Sequence, residues 1–177
     1  MTTPKQELYK LNQTSPFIEL YTIDCTAVGG IVYWFTPNVN EDGSPISFAG
    51  RAYQSLPIQT SGWELTATGE QPRPTLSLSN VNSALLAAVV TMGDIVNAKV
   101  TRLRTFEKFL DGKPEADPTA YLDPVDVYYV YQKTAHNKHV ISWQLASPVE
   151  AFASMLPARQ YLKDRGFPGI SRYRGTA

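Results

Sequence analysis

Apolar and polar side chains alternate along much of the chain, and this pattern predicts a protein built mainly from β-strands. Two runs, 63–67 and 75–79, place an apolar side chain at every second position. A period of two is typical of a strand that buries one face. Strand-forming residues also dominate 17–23, 31–35 and the longer run 98–110, which are therefore predicted as further strands.

Turn-forming residues between these runs predict two hairpins. Gly50 separates the strand-like runs 46–48 and 52–53, and a glycine can adopt the positive φ that a tight turn needs. A polar stretch, 134–138, separates the runs 125–131 and 141–145 in the same way. Within the run 125–131, one strand face carries Val125, Val127, Tyr129 and Tyr131. The Pro-, Asp- and Gly-rich segments 37–45 and 111–124 are predicted as loops.

Helical patterns are few. A short helix is expected over about 4–12, capped by Thr2 or Thr3, and a second over 83–92 is apolar almost all round and should be buried between layers. Two short helices are predicted near 148–154 and 157–163. Together the patterns indicate a mainly β, α+β fold: an antiparallel β-sandwich or barrel with one buried helix. We expect one domain over 1–164 and an extended arm or linker over 165–177.

The composition narrows the class of protein. Hydrophobic residues make up 43% of the 177 residues, charged residues 18%, and the formal net charge is zero, which is typical of a globular protein without an overall attraction for nucleic acid. No apolar run reaches the roughly 18–20 residues that span a bilayer. The polar stretch 1–15 lacks the apolar centre of a secretory signal, so we expect synthesis and folding in a cytoplasm.

Residues that could carry catalysis or hold a metal are scarce. Only two histidines occur, His136 and His139, at a predicted hairpin tip, and too few other ligands accompany them for a zinc site. The single cysteine, Cys25, lies in a strand-like context and is interpreted as a small buried hydrophobe. No phosphate-binding loop or nucleophile-elbow motif is present. We therefore predict no enzymatic activity, no catalytic residue and no metal or cofactor site within these residues.

Two segments are candidate interfaces. On the predicted strand 98–110, Arg102, Arg104 and Phe106 share one face, which is either an ordinary exposed face or a row that contacts another protein. From residue 151 onward the chain carries a local charge of +4 interleaved with aromatic residues. Cations with stacking aromatic residues could bind single-stranded nucleic acid. Because five cations give only a modest electrostatic attraction to nucleic acid, a protein-docking arm is favoured. Its candidate contact residues are Arg159, Arg172, Tyr173 and Arg174.

A carbohydrate-binding β-sandwich is the alternative from another functional class. Trp34, Trp63 and Trp143 would then be platforms on which sugar rings stack. Such platforms must lie on the surface, whereas Trp63 and Trp143 fall on the apolar sides of their predicted strands. This placement favours a core role for both side chains.

Several collinear segments resemble the minor tail protein L family of lambda-like long-tailed phages. The closest likeness is Gly50-Arg51-x-Tyr53-Gln54 with the following segments around 57–65 and 73–80. The others are 23–30, Phe109-Leu110-Asp111, the segment 145–150, Pro157-x-Arg159 and Tyr173-Arg174-Gly175. Together they span most of the chain in the order found in the family.

The resemblance implies a structural protein of the phage tail tip, located in the virion between the tail tube and the central hub. Members of the family are used in copies matched to a threefold axis, which implies a homotrimer, and they contact distal tail and hub proteins. Their bodies are similar to the β-sandwich domains of tail tubes and hubs. Members can also carry a cysteine-rich C-terminal region with an iron–sulfur cluster. Either this protein lacks the cluster or the natural protein continues past Ala177 into that region, and we expect the second.

Overall fold

The computed structural model describes residues 3–10, 15–40, 42–64, 71–79, 93–136 and 140–151. Two short α-helices occur in this part, α1 (Pro4–Leu8) and α2 (Pro148–Ala151). Its nine strands are β1 (Phe17–Asp24), β2 (Val32–Thr36), β3 (Ile46–Phe48), β4 (Arg51–Ser55), β5 (Ile58–Ser61), β6 (Thr75–Ser79), β7 (Lys99–Phe106), β8 (Asp126–His136) and β9 (Val140–Ala146). Single turns of 3₁₀-helix cover Thr26–Val28, Gly93–Ile95 and Glu107–Phe109.

All nine strands belong to one mixed sheet with the order β3-β4-β2-β1-β7-β8-β9-β6-β5. The prediction of a mainly β protein is therefore confirmed. The expectation of a purely antiparallel arrangement is wrong at one place, because β2 and β4 pair in parallel. The intervening β3 runs antiparallel to β4, so β4 returns along β2 in the same direction as β2.

The sheet curls strongly. Four strands separate β1 from β5 in the sheet order, yet the Tyr21 hydroxyl lies 3.0 Å from Thr60 Oγ1. Near the same place the amide of Leu56, between β4 and β5, donates to the carbonyl of Thr36 at 2.9 Å. The β5 end of the strand order is therefore brought back beside β1 and β2, and the concave side encloses a core.

This main core draws buried side chains from seven of the strands, which the curling makes possible. Burial of such apolar surface is the principal stabilising term, at roughly 25 cal/mol per Å². The fully enclosed members include Leu76, Ile141, Trp143 and Leu145. A second core lies on the other face of β1, where Ile18 and Leu20 pack with Ile46, Phe48 and Tyr53 of the β3–β4 hairpin. β1 is thus buried on both faces.

Both predicted hairpins are confirmed. β3 and β4 are joined by Ala49 and Gly50, whose φ angles are 52° and 71°. Positive φ at both central residues is what a type I′ hairpin turn requires. β8 and β9 pair from Tyr129↔Ala146 to His136↔Ile141. The strand 75–79 is also confirmed, with Leu76 and Leu78 buried.

Some element predictions differ from the structure. On β8 the side that enters the main core carries Val130, which is 1% exposed, whereas Tyr131 is 51% exposed. Tyr128, two residues before Val130, packs against the same core, so the face that carries Val125, Val127, Tyr129 and Tyr131 is the opposite one. The predicted strand 63–67 is not a strand at Trp63 and Glu64, and the rest of that run lies outside the described residues. The structure has β5 there instead, from Ile58 to Ser61.

The N-terminal helix begins as predicted and ends earlier. Thr3 caps it through a capping box with Gln6, and the helix stops at Leu8. Its buried side chain is Glu7, whose carboxylate accepts a hydrogen bond from Lys108 Nζ at 2.8 Å. The helix near 148–154 is described as far as Ala151. The predicted helices 83–92 and 157–163 and the arm 165–177 lie outside the described residues.

Candidate protein-docking site

Arg102 lies at the centre of β7, flanked by β1 and β8, where it pairs with Tyr21 and Asp126. Its guanidinium donates to a single carboxylate oxygen, Asp126 Oδ2, from Nε at 2.9 Å and Nη2 at 2.7 Å. A second acid, Glu19, has Oε1 3.6 Å from Nη1. Arg102 is only 8% exposed, and a charge removed from water to this degree is tolerated because these acids pair with it.

The indole of Trp63 covers the Arg102 guanidinium. The guanidinium carbon lies 3.9 Å from the centre of the Trp63 ring, and Tyr128 packs edge-on against the same indole at 5.2 Å. A planar, weakly hydrated guanidinium favours such stacking. Trp63 follows β5 after Gly62, so the stack fastens the end of β5 to β7.

Tyr21 connects Glu19, one of the two acids beside Arg102, to β5. Its hydroxyl donates to Glu19 Oε2 at 2.7 Å and lies 3.0 Å from Thr60 Oγ1. Burial is the largest cause that raises the pKa of Tyr21 above its ordinary value of 10.0, so the hydroxyl remains protonated at neutral pH. We call the set Glu19, Tyr21, Trp63, Arg102 and Asp126 the Arg102 cluster. Its charges are paired, and its contacts hold four strands in a fixed arrangement.

The unbroken pairing of β7 with β1 keeps Arg102, Arg104 and Phe106 on one strand face, but the three side chains differ in burial. Phe106 is completely buried and meets Phe17 edge-on at 5.7 Å. The side chain of Arg104 is 28% exposed, with Nη2 3.7 Å from Asp126 Oδ2. Arg104 is therefore the member of the row that reaches solvent. Arg102 and Phe106 are buried, so within the row only the contact role of Arg104 stays a prediction. The contact roles of Arg159, Arg172, Tyr173 and Arg174 also stay predictions, because these residues lie outside the described part.

The described residues do not fit a metal ion or an iron–sulfur cluster. Within them, no group of three or more His, Cys, Asp or Glu side chains could hold a metal. Cys25 is 1% exposed in the main core, where burial raises the pKa of its thiol to about 11. Iron–sulfur clusters are held mostly by several thiolates, and this sequence offers one buried thiol. His136 is exposed and lies 3.3 Å from Lys133 Nζ, and His139 lies outside the described residues.

The tryptophans pack into the protein. Trp143 is completely buried, Trp63 packs against the main core, and Trp34 packs against the second core. The indole nitrogens of Trp34 and Trp63 are also buried. These positions do not provide the exposed platforms that sugar binding needs. Among the described helices, none has the length and hydropathy to cross a membrane.

Two of the family-like segments meet at the β3–β4 turn. The Asp111 carboxylate accepts hydrogen bonds from the amides of Ala49 at 3.2 Å and Gly50 at 2.8 Å, and from the Ser47 hydroxyl at 2.9 Å. The Asp111 amide donates to the carbonyl of Ser47 at 3.0 Å. Asp111 therefore holds a turn that lies more than 60 residues away in sequence. Sequence patterns place Asp111 only in a loop.

The partners of Arg102 were also missed by sequence reasoning. Glu19 and Asp126 occur on β1 and β8 with no local pattern that marks them as ligands of one arginine. A usable signal exists only after strand pairing is known, since both acids then lie beside β7.

Comparison with known proteins supports the resemblance to a phage tail protein family. A family model described as phage minor tail protein L matches residues 26–177. The chain is also similar to the tail tip protein L of Escherichia phage lambda, with 32% identity over 151 residues. That alignment covers 83% of this chain and 65% of the lambda protein. The chain thus spans less than two thirds of the length of this relative.

Proposed function

Because this chain belongs to the phage minor tail protein L family, we propose that it is a structural component of the phage tail tip. In this proposal it joins the tail tube or distal tail ring to the central hub and is needed for tail assembly. The observation that carries the proposal is the family match over residues 26–177. The name of the lambda relative, a tail tip protein, supports the same location in the virion.

The curled sheet suits a load-bearing piece of a tube wall. Its strands enclose one core, and the Arg102 cluster ties β1, β7, β8 and the end of β5 together. Paired charges and stacked rings in a partly buried site resist local opening more than an exposed ion pair does. We propose that this body corresponds to the sandwich-like or barrel-like domains of tail tubes and hubs. Three copies would surround the tail axis.

The contacts with neighbouring distal tail and hub proteins are proposed to come from Arg104 and from the C-terminal arm. Arg104 is partly exposed, and arginine is enriched at protein interfaces. The arm contributes Arg159, Arg172, Tyr173 and Arg174. Arg102 and Phe106 act behind the surface, where they hold β7 in place.

We propose a purely mechanical role, without catalysis. The Arg102 cluster contains no nucleophile paired with a base, because its acids are engaged by Arg102 and Tyr21. An iron–sulfur cluster, if the natural protein carries one, would have to be ligated by residues beyond these 177, since they include one cysteine.

The location is tested by labelling. A phage whose copy of this protein carries an affinity tag is decorated with gold-conjugated antibody and imaged by electron microscopy. Gold at the tail tip is expected, and an untagged phage is the control. Gold along the whole tail, on the capsid, or nowhere on intact virions contradicts the proposal.

The docking role of Arg104 is tested by complementation of a phage that lacks the gene. Arg104→Glu is expected to lower the yield of infectious particles, because it reverses a partly exposed charge. Lys99→Glu is the matched control: Lys99 is exposed on the same strand, and an odd number of positions puts it on the opposite face. Equal yields from the two variants, with both proteins folded, contradict the role of Arg104.

A further inference from the structure

The N-terminal helix α1 buries a charged side chain and exposes apolar ones. Glu7 is its buried residue, whereas Leu8 at its end is 44% exposed and the following Tyr9 is 82% exposed. A helix that packs on a protein surface ordinarily turns its apolar side chains inward and its charged side chains outward. In α1 this polarity is reversed.

Two lysines hold the buried carboxylate. Glu7 Oε2 accepts hydrogen bonds from Lys10 Nζ at 2.6 Å and from Lys108 Nζ at 2.8 Å. Because these bonds favour the ionised carboxylate, first the one from Lys10 and then the one from Lys108, the pKa of Glu7 is lowered from its ordinary value. Lys108 belongs to the 3₁₀ turn that follows β7, and its amide donates to Ser15 Oγ at 3.1 Å. The ion pair therefore fastens α1 to the body of the protein.

α1 is too short to persist without such contacts, because isolated helices below about 12–15 residues are marginal in water. A capping box between Thr3 and Gln6, with Pro4 in the first turn, fixes the start of the helix. With its start capped and Glu7 fastened, the helix holds its exposed end in one orientation. Such preorganisation lowers the entropy that is lost when a surface is covered by a partner.

The charge around Leu8 and Tyr9 indicates what they contact. Lys5 is exposed, and the side chain of Lys10 is half exposed while it pairs with Glu7. Glu7 balances one of these two lysines, so the surface around the apolar pair is positive. Tyrosine is enriched at protein interfaces, and two apolar side chains give too little apolar area for a membrane-bound helix. A fitting partner is therefore a protein surface that combines apolar side chains with carboxylates.

We propose that α1, with Leu8 and Tyr9 facing outward, docks into an apolar groove rimmed by carboxylates on a different protein of the tail. The inference rests on the tail-tip location of the proposed function. It adds a docking surface that lies outside the family match over residues 26–177.

Photocrosslinking in intact virions tests this contact. The variant Tyr9→p-benzoylphenylalanine carries an aromatic side chain that bonds to nearby C–H groups under near-ultraviolet light, and the adducts are identified by mass spectrometry. An adduct is expected with a different tail protein, at a segment that combines apolar residues with Asp or Glu. An adduct with a second copy of this chain, an adduct at a segment without acids, or no adduct overturns the proposal.

The same substitution at Tyr131 is the matched control, because Tyr131 is an exposed tyrosine on β8. It should not label the segment that position 9 labels, and labelling of one segment from both positions overturns the proposal. Gold labelling distinguishes the two levels of failure. Gold at the tail tip without an adduct at position 9 refutes the docking of α1 alone, whereas virions without gold refute the proposed function.

Charge reversal tests the acidic character of the partner. Lys5→Glu, made in the chain with the cross-linker at position 9, should lower the yield of the adduct several-fold because it opposes the carboxylates of the partner. Lys99→Glu makes the same change in charge at an exposed lysine on β7 and should leave the yield unchanged. Equal yields from the two variants refute an acidic partner.

An anionic membrane is the competing occupant, because lipid phosphates also attract lysines. The purified protein is sedimented with vesicles of phosphatidylglycerol and phosphatidylcholine, and it is expected to stay in the supernatant. Sedimentation that is lost in Tyr9→Ser would assign the surface to lipid and overturn the proposal.

Discussion

Replacement of Arg102 by methionine should strongly destabilise the domain. Methionine keeps much of the length and apolar stem of the side chain and removes the guanidinium. The variant loses the two hydrogen bonds to Asp126 and the stacking on Trp63. It also leaves the Asp126 and Glu19 carboxylates, whose side chains are 20% and 26% exposed, without their main cation.

The expected loss in the free energy of unfolding follows from these contacts. A hydrogen bond to a charged group contributes about 1.5–3 kcal/mol, and stacking of the cation on an indole about 1 kcal/mol. Removing one partner of a fully buried pair costs about 3–5 kcal/mol. Because both acids keep some contact with water and Arg104 remains 3.7 Å from Asp126, we expect a loss of about 2–3 kcal/mol in the free energy of unfolding.

Urea unfolding followed by tryptophan fluorescence measures this change. With a urea dependence of about 2–3 kcal/mol per molar, the unfolding midpoint should fall by about 1 M. Arg104→Met is the control, because Arg104 lies two residues along the same strand face and its longer, more exposed ion pair contributes about 0.5 kcal/mol. The reasoning is refuted if Arg102→Met lowers the midpoint no more than Arg104→Met does.

Three other outcomes are expected. Asp111→Ala should lower the free energy of unfolding by about 1–2 kcal/mol, because the amides of Ala49 and Gly50 lose a charged acceptor. Hydrogen exchange at those two amides should accelerate, and unchanged exchange contradicts the role of Asp111 in holding the turn. The pKa of Tyr21 is raised in the folded state, so above pH 10 the unfolded chain releases this proton first and stability falls by up to about 1.4 kcal/mol per pH unit. Tyr21→Phe should flatten that fall in urea titrations between pH 9 and 11, and an identical slope contradicts the assignment. Cys25 should react with a thiol reagent at pH 8 only after unfolding, since burial raises its pKa to about 11; rapid reaction of the native protein would disprove its burial.

The elements that follow a local rule were predictable. Thr3 before Pro4 gives the helix start, and Gly50 between two apolar runs gives the first hairpin. The alternation around Leu76 and Leu78 gives β6 with the correct buried face. In each case the relevant interactions act between residues a few positions apart.

Predictions failed where distant residues decide the structure. The buried face of β8 depends on how the whole sheet packs, because apolar or aromatic side chains occur on both faces: Tyr128 and Val130 meet the core, and Tyr129 and Tyr131 lie on the other face. A parallel pair such as β2–β4 has no local pattern of its own. Arg102 illustrates the same limit for the candidate site: the sequence shows its direction on the strand, but its burial follows from acids on two other strands.

The amino-acid sequence by itself determined the mainly β character, the two hairpins, the lack of a recognisable catalytic motif and the likeness to a tail protein family, because period, turn residues and motif order are local or collinear. Tertiary structure alone decided that the sheet curls until Tyr21 meets Thr60, that Asp111 holds a distant turn, and that Arg102 lies beneath Trp63. Those contacts join residues that are far apart along the chain. Their energies depend on strand order and burial, which no single segment specifies.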